Sequence, residues 1–164
     1  ELLDAGDGRR LERFGERVVD RPAPAAEEPP LERGTWRRAD LRFQAADGWT
    51  GSTTAWTIEL AGLTLELRPT TSGGLGFYPE HVANLEWLGA QVEARAKDGP
   101  VAVLNLFGHT GLATLAAASA GAAVAHVDAS RGAVAWARRN AERSAAYFGI
   151  PAAQVVEIGI EIEI

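Results

Sequence analysis

Apolar and polar positions alternate in short runs from Glu1 to about Arg68, with turn residues between the runs, which is how antiparallel strands read. Leu2-Leu3 and Leu11 to Phe14 flank the turn-rich Ala5-Gly6-Asp7-Gly8, and Leu41-Arg42-Phe43 leads into Asp47-Gly48. Trp56, Ile58 and Leu60 alternate up to Ala61-Gly62, and Leu63, Leu65 and Leu67 alternate beyond it, so this pair predicts a hairpin. Pro22 to Pro30 carries four prolines among alanines and glutamates. That composition builds neither ladder nor helix and predicts an exposed connector.

The period then changes. Gly73-Gly74-Leu75-Gly76 is a hinge, Pro79 stands at a first helical position with Glu80 in the first turn, and Val82, Leu85, Leu88 and Val92 share one face until Asp98-Gly99-Pro100. Val101 to Phe107 is a nearly continuous apolar run, the pattern of a strand buried on both faces of a parallel sheet. The turn Gly108-His109-Thr110-Gly111, a helix from Leu112 to Ala120 and a second apolar strand from Ala122 to Val127, closing on Asp128, complete a βαβ unit. Ser130 caps a third helix whose Val134, Ala137 and Ala141 face inward. The fold class is therefore α/β: an incomplete, Rossmann-like doubly wound sheet over residues 79–164, preceded by a small antiparallel β-rich region over residues 1–78 with its connector at 22–30.

Composition narrows the chemistry. The 164 residues are 46% apolar, enough for a core, and hold no cysteine, which removes disulfides, thiolate nucleophiles and thiolate metal sites from this stretch. His81, His109 and His126 have no ligand spacing, so no metal site is expected. No apolar run approaches the roughly eighteen residues of a membrane span, and the first residues lack a signal peptide's basic start; a soluble, cytoplasmic protein without membrane contact is the expectation. The net charge is -6, and the arginines at positions 9, 10, 13 and 17 and at 131, 138, 139 and 143 read as solvated faces. Tight nucleic-acid binding by this stretch alone is not expected. The chain opens without methionine and closes on an alternating run from Val155 to Ile164 that stops in mid-pattern, which reads as a fragment.

In a βαβ unit the strand ends and the first helix's N-terminus meet at one crevice, where a cofactor can lie. Gly108 and Gly111 let backbone come close there, and Asp128 ends the second strand, where a carboxylate accepts bonds from both hydroxyls of an adenosine ribose. A dinucleotide wants the fuller G-x-G-x-x-G, whose first glycine would be Phe107. A cofactor without a pyrophosphate, such as S-adenosylmethionine, fits this loop better: Asn105 offers its amide to the amino-acid portion and Phe107 an apolar wall. The same glycines also serve a plain tight turn.

The runs Val103 to Gly111, Ala116-Ala117-Ala118, Val127-Asp128-Ala129-Ser130 and Ala133 to Asn140 together resemble the core of class I methyltransferases related to bacterial 23S ribosomal RNA methyltransferases. Gly76 to Glu80 and Asn84 to Trp87 resemble that group's helix before the first strand, and Glu1 to Asp4 with Arg13-Phe14-Gly15 its N-terminal segment. The resemblance implies S-adenosylmethionine as cofactor, with Asn105, Phe107, Gly108 and Gly111 around the methionine part, Asp128 on the ribose, Ser130 beside it and Phe77 near the entrance. Trp136 reads as core. His109 stands where the group often has an aromatic.

Beyond Asn140 the group continues through a third strand with an acidic residue and a fourth ending in Asp-Pro-Pro, neither recognisable here. The run at 155–164 suits a half-exposed strand better than a buried one. The resemblance therefore implies a methyltransferase truncated before its catalytic strand, which binds the cofactor weakly and transfers nothing by itself, with catalytic residues outside the chain. Ribosomal RNA is the implied acceptor, reached through the missing part, and the unpaired sheet edge favours self-association. Two further readings stand beside it: a Rossmann oxidoreductase domain using NAD, and a non-catalytic adaptor that keeps the fold.

Overall fold

The structure is a computed structural model that describes residues 1–148 and 155–159. It divides into two compact units, one of residues 1–58 and 67–75 and one of residues 59–66 and 76–164.

The first unit holds a five-stranded sheet of β1 (Leu2–Gly6), β2 (Arg9–Phe14), β3 (Arg17–Pro22), β4 (Leu41–Gln44) and β5 (Gly48–Gly51), in that order. Neighbours are antiparallel except β3 and β4, which are parallel. A parallel pair needs a crossover, and residues 23–40 supply it. The proline-rich connector is thus exposed as expected, but it is tied down. Asp7 and Gly8 donate their N–H groups to the carbonyls of Glu28 (2.9 Å) and Ala26 (2.7 Å). A Cβ on Gly6 would stand 2.3 Å from the Pro30 nitrogen, so only glycine admits the crossover there. The Asp4 carboxylate accepts from the Trp36 indole N–H (2.8 Å) and from the N–H groups of Glu32 (3.0 Å) and Leu31 (3.1 Å), and these bonds lower its pKa to about 2. Leu11, Phe14, Val19, Leu41 and Phe43 are the buried apolar side chains of this sheet, with Leu11 on the opposite face from Val19 and Leu41. β3 does not stand out by alternation because Val18-Val19 is followed by charges that are buried as pairs: Asp20 with Arg9 and Arg42, and Arg21 with Glu12.

β6 (Trp56–Leu60) and β7 (Leu63–Leu67) form the predicted hairpin. Ala61 (φ 50°) and Gly62 (φ 75°) are both left-handed, as a two-residue primed turn requires.

In the second unit, the helix expected from Pro79 begins as a 3-10 segment, Pro79–Asn84, and becomes α-helical in α1 (Leu85–Ala96), which buries Leu85 and Val92. A parallel sheet follows, ordered β10 (Val155–Gly159), β9 (Ala123–Asp128), β8 (Ala102–Leu106), with α2 (Leu112–Ser119) and α3 (Arg131–Phe148) between successive strands. Val92, Ala117, Ala118, Ala122 and Val124 form a core against which Leu88 and Val103 pack. The unpaired edge expected at the first strand is that of β8 among the described residues, but the expectation of burial on both faces is corrected, since Leu104 is 62% and Leu106 56% exposed. Its periodicity is that of a covered strand, but no described residue covers that face. The alternating sequence at 155–159 does form a parallel third strand, at the opposite edge from β8, where one-sided pairing suits alternation; residues 160–164 lie outside the described residues. No helix among the described residues is long and apolar enough to cross a membrane.

Candidate active site at the end of the first parallel strand

The chain leaves β8 through Asn105 to Gly111, and three of these residues are left-handed: Phe107 (φ 55°), His109 (φ 51°) and Gly111 (φ 96°). At the two that carry side chains this costs roughly 1–2 kcal/mol each, so the surroundings must hold the loop. They do so from several directions. Gly108 N–H extends the sheet to the Val127 carbonyl (3.0 Å), and His109 N–H donates to Asp128 Oδ2 (2.8 Å). The buried Asn140 amide donates to the Thr110 carbonyl (2.9 Å), and the Thr110 hydroxyl donates to the Gly76 carbonyl. Asp128 Oδ1 in turn accepts the N–H of Ser130 (2.8 Å), so each carboxylate oxygen holds one backbone donor.

Beneath the loop runs a buried polar chain. Asn105 Nδ2 donates to Thr114 Oγ1 (2.8 Å), and Thr114 Oγ1 lies 2.8 Å from His126 Nδ1. The hydroxyl, which has one proton and two lone pairs, can donate to a bare Nδ1 or accept from a protonated one, so this contact holds either tautomer of the ring. The imidazole is 2% exposed, and burial lowers its pKa against the raising effects of Asp128 and the His109 backbone. A Cβ on Gly108 would stand 2.4 Å from His126 Cε1, so the place of a side chain at this glycine is already filled by the ring.

A cavity of about 380 Å³ opens over the loop, with Phe77, Tyr78 and His81 on one side and the residues from Asn105 to Thr110 on the other. The Tyr78 ring centroid lies 5.2 Å from that of His109 and 5.5 Å from that of His81. Burial lowers the pKa of His109, Asp128 raises it, and His81 lowers it further. Of the seven residues expected from sequence, Phe77, Asn105, Phe107 and Gly108 line this cavity, and Phe107 is 88% exposed. Gly111 instead starts α2, and its Cβ would meet that of Ala137 at 3.0 Å. Asp128 sits one hydrogen bond away, through His109 N–H, and Ser130 Oγ accepts the Ala133 N–H (3.2 Å) as the cap of α3. Trp136 is buried and donates to the Glu66 carbonyl (2.9 Å). Sequence reasoning missed Tyr78, Thr114, His126 and Asn140; the signal available was that Thr114, His126 and Asn140 are polar residues on otherwise apolar faces.

No family model matches the chain. A stretch of 33 residues, 20% of the chain, is 64% identical to 5% of the probable potassium transport system protein Kup 3 of Bradyrhizobium diazoefficiens, too short a match to assign a family. Among solved structures, the SAM-dependent methyltransferase of Agrobacterium tumefaciens is 37% identical with a TM-score of 0.85, over 98% of this chain and 52% of that one. A protein of Streptococcus mutans assigned as a SAM-dependent methyltransferase superposes with a TM-score of 0.71 at 15% identity, over 98% of this chain and 46% of its own. SMU.776, assigned as a methyltransferase and solved with S-adenosylhomocysteine, gives 0.70 at 16%, over 94% and 42%. The chain thus spans about half the length of these proteins. The last two likenesses speak to fold, and the first adds sequence: with its βαβ order, its loop from Asn105 to Gly111 and its acid at Asp128, the chain has the fold of class I S-adenosylmethionine-dependent methyltransferases and is similar in sequence to one of them.

Proposed function

We propose that this chain carries the cofactor-binding half of an S-adenosylmethionine-dependent methyltransferase whose acceptor is a base of ribosomal RNA. The observation that carries the reading is the braced loop from Asn105 to Gly111 with Asp128 fixed beneath it. A carboxylate offers about four lone-pair sites. Asp128 uses one on each oxygen for backbone, so the other site on each remains for a pair of vicinal hydroxyls. The cavity of about 380 Å³ lies within the roughly 300–1,000 Å³ of small-molecule sites. When bound, the cofactor supplies an electrophilic methyl group on its sulfonium.

The chain's own residues bind and orient. Asn105, whose Nδ2 is committed to Thr114, keeps Oδ1 as an acceptor for an ammonium group. Phe107 and Phe77 give apolar walls, and Gly108 and Gly111 set the loop's path onto α2. Ser130 closes the first turn of α3 beside Asp128. The ribosomal RNA acceptor rests on the motif resemblance. An NAD-dependent oxidoreductase and a non-catalytic adaptor are not favoured, because the sequence-similar relative is a methyltransferase and the loop lacks the dinucleotide glycines.

Calorimetric titration of S-adenosylhomocysteine tests the reading, with NADH as control ligand. Saturable binding is expected, weakened tenfold or more in Asp128→Ala, because bonds to a charged acceptor contribute ~1.5–3 kcal/mol each. Equal binding of NADH, or no binding by a sample that unfolds cooperatively, would overturn it.

A further inference from the structure

Three rings meet over the loop that follows β8. Tyr78, just ahead of the 3-10 segment Pro79–Asn84, has its ring centroid 5.5 Å from that of His81 and 5.2 Å from that of His109. All three line the cavity of about 380 Å³ that Asn105 and Phe107 also line. The two imidazoles thus face one space from its two walls, and the Thr110 hydroxyl, donating to the Gly76 carbonyl, ties those walls together. His81 is exposed and His109 half-buried, so protons from solvent reach both.

The titratable neighbours of these imidazoles are few. From β9 come Asp128, which favours a proton on His109, and the buried His126; from the opposite wall His81 opposes that proton. Glu80 adjoins His81 on the 3-10 segment. The loop from Asn105 to Gly111 has no titratable residue besides His109, and α2 has none. α3 meets the loop through Ala137 and Asn140, which do not titrate. Among the described residues no lysine or arginine lines the cavity, so its walls become positive through the imidazoles. Imidazole is the side chain whose charge ordinarily changes between pH 5 and 8.

S-adenosylmethionine and its product differ at one atom, since loss of the methyl group turns a cationic sulfonium into a neutral thioether. A space of about 380 Å³ equals a sphere about 9 Å across, close to the Debye length of ~8 Å at physiological ionic strength. A charge inside it is therefore poorly screened from its walls. Building on the cofactor reading above, we propose that His81 and His109 are specificity-determining residues that read the charge on the cofactor's sulfur: neutral, they admit the sulfonium; protonated, they select the neutral thioether. Like charges about 8 Å apart, at an effective dielectric between ~20 and that of water, change a dissociation constant by about 2- to 30-fold.

Calorimetric titration of S-adenosylmethionine and of S-adenosylhomocysteine into the 164-residue chain, at pH 8, 6.5 and 5.5 and constant ionic strength, tests this. Adenine, ribose and amino-acid contacts are common to both ligands, so the ratio of their dissociation constants isolates the sulfur. The ratio, sulfonium over thioether, is expected to rise about fivefold from pH 8 to 5.5. In the double variant His81→Gln/His109→Asn it should stay within twofold, and each single variant should fall between. Asparagine tolerates the left-handed backbone of position 109 (φ 51°) and position 81 is exposed, so the fold is kept. A ratio flat within twofold in the unaltered chain, or one that rises as steeply in the double variant, overturns the proposal while binding of S-adenosylhomocysteine at pH 8 leaves the cofactor reading standing. No binding of either ligand at pH 8 by a cooperatively unfolding sample overturns both.

Discussion

Gly108→Ala separates a steric requirement from a backbone one. Gly108 is not among the residues with positive φ, so alanine meets no conformational penalty there. Its Cβ, however, would stand 2.4 Å from His126 Cε1, 2.5 Å from Nδ1 and 3.1 Å from Asn105 Nδ2. The first two lie about 1 Å or more inside the ~3.5–4.0 Å optimum for carbon contacts. The ring cannot swing without leaving Thr114, and the loop cannot lift without breaking the Gly108 bond to Val127. Overpacking costs ~1–3 kcal/mol and the lost hydrogen bond about 1 more, so roughly 2–4 kcal/mol is expected. For a chain of this size that lowers Tm by about 5–15 °C. The assay is a double-mutant cycle by urea unfolding of Gly108→Ala, His126→Ala and the pair. Without the imidazole the new methyl has room, so the two penalties should fall short of additivity by at least ~1 kcal/mol. Additive penalties, or a cost for Gly108→Ala below ~0.5 kcal/mol, would refute the packing argument.

Two further outcomes follow from the same brace. Asn140→Ala leaves the Thr110 carbonyl and the Glu66 N–H buried without the amide that joins them, which should cost ~2–4 kcal/mol in urea unfolding and weaken S-adenosylhomocysteine binding through the displaced loop; Asn140→Asp, which retains the acceptor for Glu66 but not the donor to Thr110, should fall between. Acid should destabilise in two steps. His109 and His126 have pKa values below the ordinary 6.5, so their contribution is present above pH 6.5 and is lost as pH falls below it and the unfolded chain takes up protons first. Asp4, depressed from 3.8 to about 2, contributes above pH 3.8 and loses that contribution between there and about 2. Urea midpoints measured from pH 8 downward check this, and a midpoint flat from 7.5 to 5 would count against the histidine step.

The hairpin, the βαβ order and the glycine-containing turn after the first parallel strand were legible because each has its own local period or turn chemistry. Ala61-Gly62 announces a primed turn, and the step from alternation to a continuous apolar run at Val101 announces a parallel strand. β3 was not legible, since Asp20 and Arg21 look like solvent positions until partners from β2 and β4 arrive to bury them. The open face of β8 was not legible either, because an apolar side chain records the environment it fits, whether or not the described residues supply it. The brace under the loop escaped for a related reason: Thr114, His126 and Asn140 make their bonds across 9 to 74 residues of sequence, beyond any local pattern.

That brace also accounts for the hairpin residues 59–66 lying with the parallel unit. Glu66, 5% exposed, receives Arg139 Nε (3.2 Å) and an Arg143 terminal nitrogen (2.8 Å) on its carboxylate, while its carbonyl takes the Trp136 indole N–H and its N–H meets Asn140 Oδ1. One buried residue of β7 is thereby held by one face of α3 over two helical turns. A buried carboxylate is costly unless paired, and here two arginines pair it, so the face is specific for this partner as well as attractive to it. The same Asn140 that accepts from Glu66 donates to the Thr110 carbonyl in the loop above Asp128. The left-handed residues of that loop need a rigid frame, and a side chain bonded at once to strand, helix and loop provides one. Local strain at Phe107 and His109 is therefore offset at a distance, by contacts whose loss should be felt first as misplacement of the loop and only then as unfolding.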